Sequence, residues 1–348
     1  ASFAEGVPKA IGKGARGASA GRAERCLARA RAATERRASF DEPGGMDLLP
    51  SKPVLLSGAF GGPFVIFTCT PLRNALTLGA QDRHSGVTRL LRKVFRGGPT
   101  AGWTGGYAPA IVACPQFLAL GPVYHTLNRT FRRNLFPGSE GGGHALLPSL
   151  MACAGAAVCE TCLTYGSQSR NAQMAYNNSM VLFSSVEEGA RVRLKLNKMT
   201  RIYGPGSGPA YFRNLLSICS VRAISPSVRE RVQLPGVGDS TKAVLCDMSC
   251  SVMVSTMTAP LHQLFNFMVT TPEAGTLPRR ERWNLAIGFL KQQYLVPKPR
   301  EDFTIPQEYT RRISKIAVRD FVMRTSYVTA VFTMYMAIER TLVGIMRR

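Results

Sequence analysis

Three octets constrain this chain more than any other feature: PLRNALTL from Pro71, QSRNAQMA from Gln168 and PLHQLFNF from Pro260, 97 and 92 residues apart. A near-constant period of this length marks three copies of one structural unit, each covering apolar surface on its neighbours. The likeness extends upstream, where Gly58 and Gly155 each stand 13 residues before their octet. It also extends downstream. WTGGYAP from Trp103 and YGPGSGP from Tyr203 share an aromatic residue, a Gly three positions on and a Pro three further; the third copy lacks that Gly and Pro after Tyr309.

Apolar segments recur with the octets, near 54–78, 108–127, 145–165, 208–224, 243–269 and 316–343. Each is interrupted by Gly, Ser, Thr, Cys or a charge. Helices that cross about 30 Å of hydrocarbon while turning one polar stripe inward need such a composition. Buried helices of a soluble protein are the alternative reading.

Taken together, the octets, the preceding glycines and the aromatic-x-x-Gly-x-x-Pro elements resemble the mitochondrial carrier family over about residues 52–345. That resemblance implies an all-α membrane protein with six transmembrane helices in three tandem two-helix repeats, placed in the mitochondrial inner membrane. The implied divisions are a basic extension at 1–50 and repeats at 51–140, 141–235 and 236–348. SGVTRLLRKVF after the first octet and ERWNLAIGFLKQQYL after the third have the apolar spacing of short connecting helices.

In that family each octet carries Pro-x-acid-x-x-base, the proline kinks the odd-numbered helix, and the charges form a ring of salt bridges that closes the cavity. This chain departs from the pattern. The proline positions hold Pro71, Gln168 and Pro260; the acid positions hold Arg73, Arg170 and His262; the base positions hold Leu76, Gln173 and Phe265. Converging bases repel by about 1 kcal/mol or more even at water-like dielectric, so an ionic gate is excluded. The family's second gate, on the even helices, is lost too: its positions hold Tyr124, His125 and Asn128, then Ile224, Ser225 and Val228, then Tyr335, Met336 and Glu339.

The resemblance places solute contacts midway along the even helices, at Ala113, Arg213 and Arg324; counting from Tyr309 instead selects Arg319. Mid-membrane arginines suit phosphate or carboxylate. Pairing with the intramembrane acids Glu160, Asp247 or Asp320 is the alternative use for them.

The remaining patterns are weaker. Nine cysteines and four histidines lack metal-ligand spacing, and the single CxxC, Cys159 to Cys162, lies in an apolar stretch. Neither a metal nor a cofactor is expected, and no catalytic constellation is arguable. GPGSGP from Gly204 lacks the flanking strand and Lys-Ser/Thr of a phosphate loop, so it reads as the lead-in to a helix.

Net charge is +23, and residues 9–37 hold nine bases against Glu24 and Glu35. Such a segment looks like a mitochondrial targeting sequence or a basic amphipathic helix that docks on an acidic subunit or on anionic lipid such as cardiolipin. Nucleic acid is disfavoured as the partner, since the aromatics fall in the apolar spans rather than among the bases. The expected function is a transport-inactive carrier-like accessory subunit of an inner-membrane complex, with a divergent carrier of an anionic solute as the alternative.

Overall fold

The computed structural model describes residues 56–136, 146–181, 193–233, 236–298 and 307–346. The basic extension lies outside them. The described residues belong to one compact unit and are mostly helical.

The first helical column is broken where its octet begins. Helix α1 (Ser57–Thr68) ends at Cys69, which has φ −81° and ψ 3°, and α2 (Thr70–Gln81) restarts with Pro71 in its first turn. Proline has no N–H to give and its ring crowds the carbonyl four residues back, so it is well tolerated at a helix start and kinks or breaks a helix interior. Helix α3 (Val87–Val94) follows, burying Leu90 and Val94. A 3-10 turn, Pro99–Trp103, then leads into α4 (Tyr107–Leu135).

Helix α5 (Leu146–Val181) runs unbroken through Gln168, which keeps the backbone donor that a proline lacks. Helix α6 (Ser207–Cys219) starts after Gly206, whose φ of +83° is costly for any residue with a side chain. The GPGSGP stretch is thus a helix lead-in. A wide π-turn, Ser220–Ile224, joins α6 to α7 (Ser225–Arg231).

In the last third, α8 (Asp239–Thr270) contains Pro260, and α9 (Arg279–Tyr294) is the second short connecting helix. Strands β1 (Leu295–Pro297) and β2 (Tyr309–Ile313) pair antiparallel, and α10 (Lys315–Met346) completes the fold. Tyr309 is therefore a strand residue rather than the start of the last helix. The segment that follows it, with β-branched Thr310 and Ile313 on either side of Arg311 and Arg312, pairs with β1 instead of coiling.

Each column packs on the next in chain order: α1 on α4, α4 on α5, α5 on α6, α6 on α8, α8 on α10, and α10 back on α1. The six columns close a ring. At the octets α2, α5 and α8 also touch one another, so the odd columns converge there.

Four stretches are long and apolar enough to cross a membrane: Pro99–Leu135, Leu146–Ser179, Thr241–Thr270 and Lys315–Glu339. Polarity is inverted relative to a water-soluble fold. Phe60, Phe64, Ile111, Val158, Met253, Met257, Val318 and Val322 face outward, while Asn74, Ser167, Ser169, Asn171, Asn214, Gln263 and Asn266 are buried. An apolar exterior around a polar interior fits hydrocarbon as solvent. The chain is accordingly a helical membrane protein.

Candidate functional site

The first two octets meet through amides. Each octet carries an amide side chain three residues after its first position, at Asn74, Asn171 and Gln263, and all three are buried. Asn74 Nδ2 donates to the carbonyls of Gly102 at 2.9 Å and Thr104 at 3.0 Å. Asn171 Nδ2 donates to Asn74 Oδ1 and to the Thr104 carbonyl, both at 3.2 Å. This stitches α2 to α5 without charge. An amide side chain at one offset in all three octets was the signal, and attention to the charged positions alone passes over it; the third, Gln263, is buried with no hydrogen-bond partner among the described residues.

The base positions are packed, not paired. Leu76 lies in an apolar cluster with Val65, Leu90, Val94 and Met323. Phe265 packs edge-on against Tyr165 with ring centroids 6.1 Å apart. Gln173 donates from Nε2 to the Val269 carbonyl at 3.3 Å and accepts from the Asn197 N–H at 2.8 Å.

Of the three acid positions, two turn inward. Arg73 and His262 are buried. Arg170 instead donates from Nε to Tyr107 Oη at 3.2 Å and from Nη1 to the Asn197 carbonyl at 3.1 Å. The expected convergence of three bases is thereby corrected to two. On unbroken α5 it is Gln168 that faces inward, accepting from Arg213 Nη2 through Oε1 at 2.7 Å.

Arg213 joins the inward group from α6. It donates to Asn214 Oδ1 at 3.2 and 2.9 Å, and its guanidinium lies 5.5 Å from the Phe265 ring centre. Its Nη1 stands 3.1 Å from His262 Nδ1. A guanidinium can only donate, so Nδ1 is the acceptor and the His262 ring proton sits on Nε2. That Nε2 is buried without a partner.

Arg324 completes the group from α10. It is 8 % exposed and lies 5.4 Å from the Tyr327 ring centre, and its Nε has no hydrogen-bond partner. Arg73, Arg213 and Arg324 are all electrostatic neighbours of His262, and Tyr327 is a neighbour of each arginine. The acid beside Arg213 is Glu160, which accepts from Gln116 Nε2 at 2.7 Å and forms no direct ion pair. Ala113, the remaining solute position, is fully buried and offers no polar group.

Arg319 lies apart from this group. Its Nη2 pairs with Asp320 Oδ1 at 2.9 Å and donates to the Gly79 carbonyl at 2.8 Å, while Nη1 reaches the carbonyls of Asp82 and Ser85, both at 2.8 Å. Pairing with an intramembrane acid thus holds for Arg319 and not for Arg213 or Arg324. Asp247 pairs with Arg229 at 2.8 Å and accepts a hydrogen bond from Ser225 Oγ, linking α7 to α8.

At the second gate, Tyr124 packs beside His125 at 5.5 Å, and Ser225 is taken up by Asp247. Beyond α5, Lys195, Asn197, Lys198 and Arg201 line an open cleft of about 510 Å³. Among the described residues no three His, Cys, Asp or Glu side chains gather as metal ligands would. No known protein family and no curated protein matches the chain in sequence.

Proposed function

We propose that this chain is a carrier-like protein of the mitochondrial inner membrane that no longer transports and serves, without catalysis, as an accessory subunit of an inner-membrane complex of respiratory type. In this reading all six columns cross the membrane as three two-helix repeats. The interrupted columns, α1 with α2 and α6 with α7, complete the four longer spans.

The observation that carries the reading is the packing of the octets. Alternating access needs two states of similar free energy, each held by contacts the other lacks. Ionic rings supply such contacts because they form and break as units. Here Leu76 and Phe265 are buried in apolar packing, Gln173 is tied to main chain, and Arg170 has left the axis. Opening would expose apolar surface and strand buried amides, with no paired charge to compensate.

The test is exchange in liposomes. Purified protein is expected to show no saturable counter-exchange of nucleotides, phosphate, di- and tricarboxylates or basic amino acids. Exchange that disappears in Arg213→Ala or Arg324→Ala would establish the second reading, a divergent carrier of an anionic solute, which the burial of those two arginines without a direct ion pair favours. For the accessory role, the chain is expected to comigrate with an inner-membrane complex in mild detergent. Anionic lipid such as cardiolipin is the proposed second partner, supported by the basic cleft at Lys195, Lys198 and Arg201.

A further inference from the structure

The inward bases present a surplus of donors. Arg73 is 7 % exposed and Arg324 8 %, and among the described residues neither guanidinium makes a hydrogen bond or an ion pair. His262 Nε2–H is likewise buried and unused. Arginine does not lose its proton in a protein, so burial cannot neutralise these groups as it does a lysine. Of the three guanidiniums only Arg213 has a carboxyl group, Glu160, as a neighbour; Arg73 and Arg324 have none among the described residues. A core in this state is costly unless a counter-charge enters it.

We infer that the core holds one small divalent oxyanion of the phosphate class, gripped by Arg73 on α2, His262 Nε2–H on α8, and Arg324 with Tyr327 on α10. The chemistry selects that class. The free groups are all donors, so the ligand offers acceptors only. They come from three helices, so the acceptors must point in several directions, which a tetrahedral oxyanion provides and a planar carboxylate does not. Two negative charges balance Arg73 and Arg324, the two guanidiniums with no acid beside them.

The anion then stands where the octets lack their acids, and it clamps the converging columns from within. Two of its ligands, Arg73 and His262, occupy octet positions rather than the solute level of the even helices. The inference rests on the closed ring of helices and the unused donors, and it requires neither a partner complex nor the absence of transport.

The experiment uses the full chain purified in mild detergent in a chloride buffer. Inorganic phosphate, sulfate or chloride is titrated at matched ionic strength while Tm is followed; a parallel sample is denatured and its released anions are measured by ion chromatography. The expected result is a saturable rise of roughly 5 °C with phosphate and none with chloride, or, if the anion survives purification, a stoichiometric oxyanion in the released fraction. The Arg73→Gln/Arg324→Gln double variant is expected to lose both the response and the released anion. Tyr327→Phe, which keeps all the charges, is expected to weaken apparent phosphate affinity several-fold should the double variant not fold. Wild-type protein that neither responds nor releases an oxyanion overturns the inference, as does an unchanged response in the double variant. Liposome exchange is a separate readout, so binding without exchange, or exchange without this site, tells the two proposals apart.

Discussion

Arg319 and Arg324 stand five residues apart on α10 and meet opposite fates. Arg319 spends its fork on Asp320 and on the carbonyls of Gly79, Asp82 and Ser85, while Asp320, fully buried, also accepts from Gln293 Nε2 at 2.9 Å. Removing one member of such a pair leaves a buried charge uncompensated. Arg319→Met is expected to destabilise the chain by about 3–5 kcal/mol, read as a lower Tm in detergent, and Arg319→Lys to recover only part of it because an ammonium cannot bridge several carbonyls at once. The loop this clasp holds is itself organised by Asp82, which accepts from Lys93 Nζ and from Ser85 Oγ at 2.6 Å. Burial pushes the Asp82 carboxyl up, but its bonds to Lys93 and Ser85 outweigh that and hold it below the usual carboxylate range. A depressed folded-state value adds stability above the unfolded value, near pH 4, that is lost as pH falls through the depressed one. Tm should therefore drop below about pH 4 in the wild type, whereas Asp82→Asn should start lower at neutral pH and vary less across that window. A wild-type profile no steeper than the variant's would remove Asp82 from the account. The sequence placed both arginines as solute candidates because the register of α10 was ambiguous there. Nothing in the residue string tells which of two buried arginines on one helix faces a loop carbonyl and which faces the core.

At the scale of elements, what the sequence made legible follows from how local each signal is. Pro71 at its helix break, the connecting helices α3 and α9 and the Gly206 lead-in are set by residues within one or two turns, and each lies where pattern reading put it, whereas Pro260 lies inside the continuous helix α8. The β1–β2 pair was missed because its partners are separated by a long connection and its strands are only 3 and 5 residues long. Gly58 keeps ordinary spacing from Phe117, with a Cβ placed there 3.5 Å away, and it is Gly62, one turn on, that lies against that ring. The strongest packing constraint is Gly166 on α5, which no octet or motif contains. A Cβ at Gly166 would fall onto the carbonyl oxygens of Lys198, Met199 and Arg201, main-chain atoms that cannot rotate away as a side chain can. Gly166→Ala is thus expected to push the 198–201 segment off α5 and cost about 1–3 kcal/mol. The loss should be visible as a lower Tm together with faster proteolysis at Lys198 or Arg201. Gly58→Ala, on the same reasoning, should change Tm little, and equal losses at the two glycines would show that backbone contact is not what distinguishes them.

Across the whole molecule, the inverted polarity and the basic excess pull in different directions. The helical ring buries its amides and turns phenylalanines and methionines outward, so its fold is suited to lipid, whereas residues 9–37 bring nine bases against two acids and gain little from burial of any kind. Charge of that density has value only opposite an acidic surface, and near an anionic membrane each base contributes about 1 kcal/mol, falling as salt screens it. In the accessory-subunit reading the segment is the part that recognises a neighbour, with Arg22, Arg25, Arg29 and Arg36 brought roughly to one side if it is helical. The ring itself needs no help from it. Deleting residues 1–45 should therefore leave the protein membrane-inserted and resistant to carbonate extraction, while its comigration with the complex is lost. Raising ionic strength on the intact chain should produce the same release without any deletion. A truncated chain that still comigrates with the same partners at raised salt would relocate the docking surface to the outward faces of the ring and leave the basic segment with a targeting role alone.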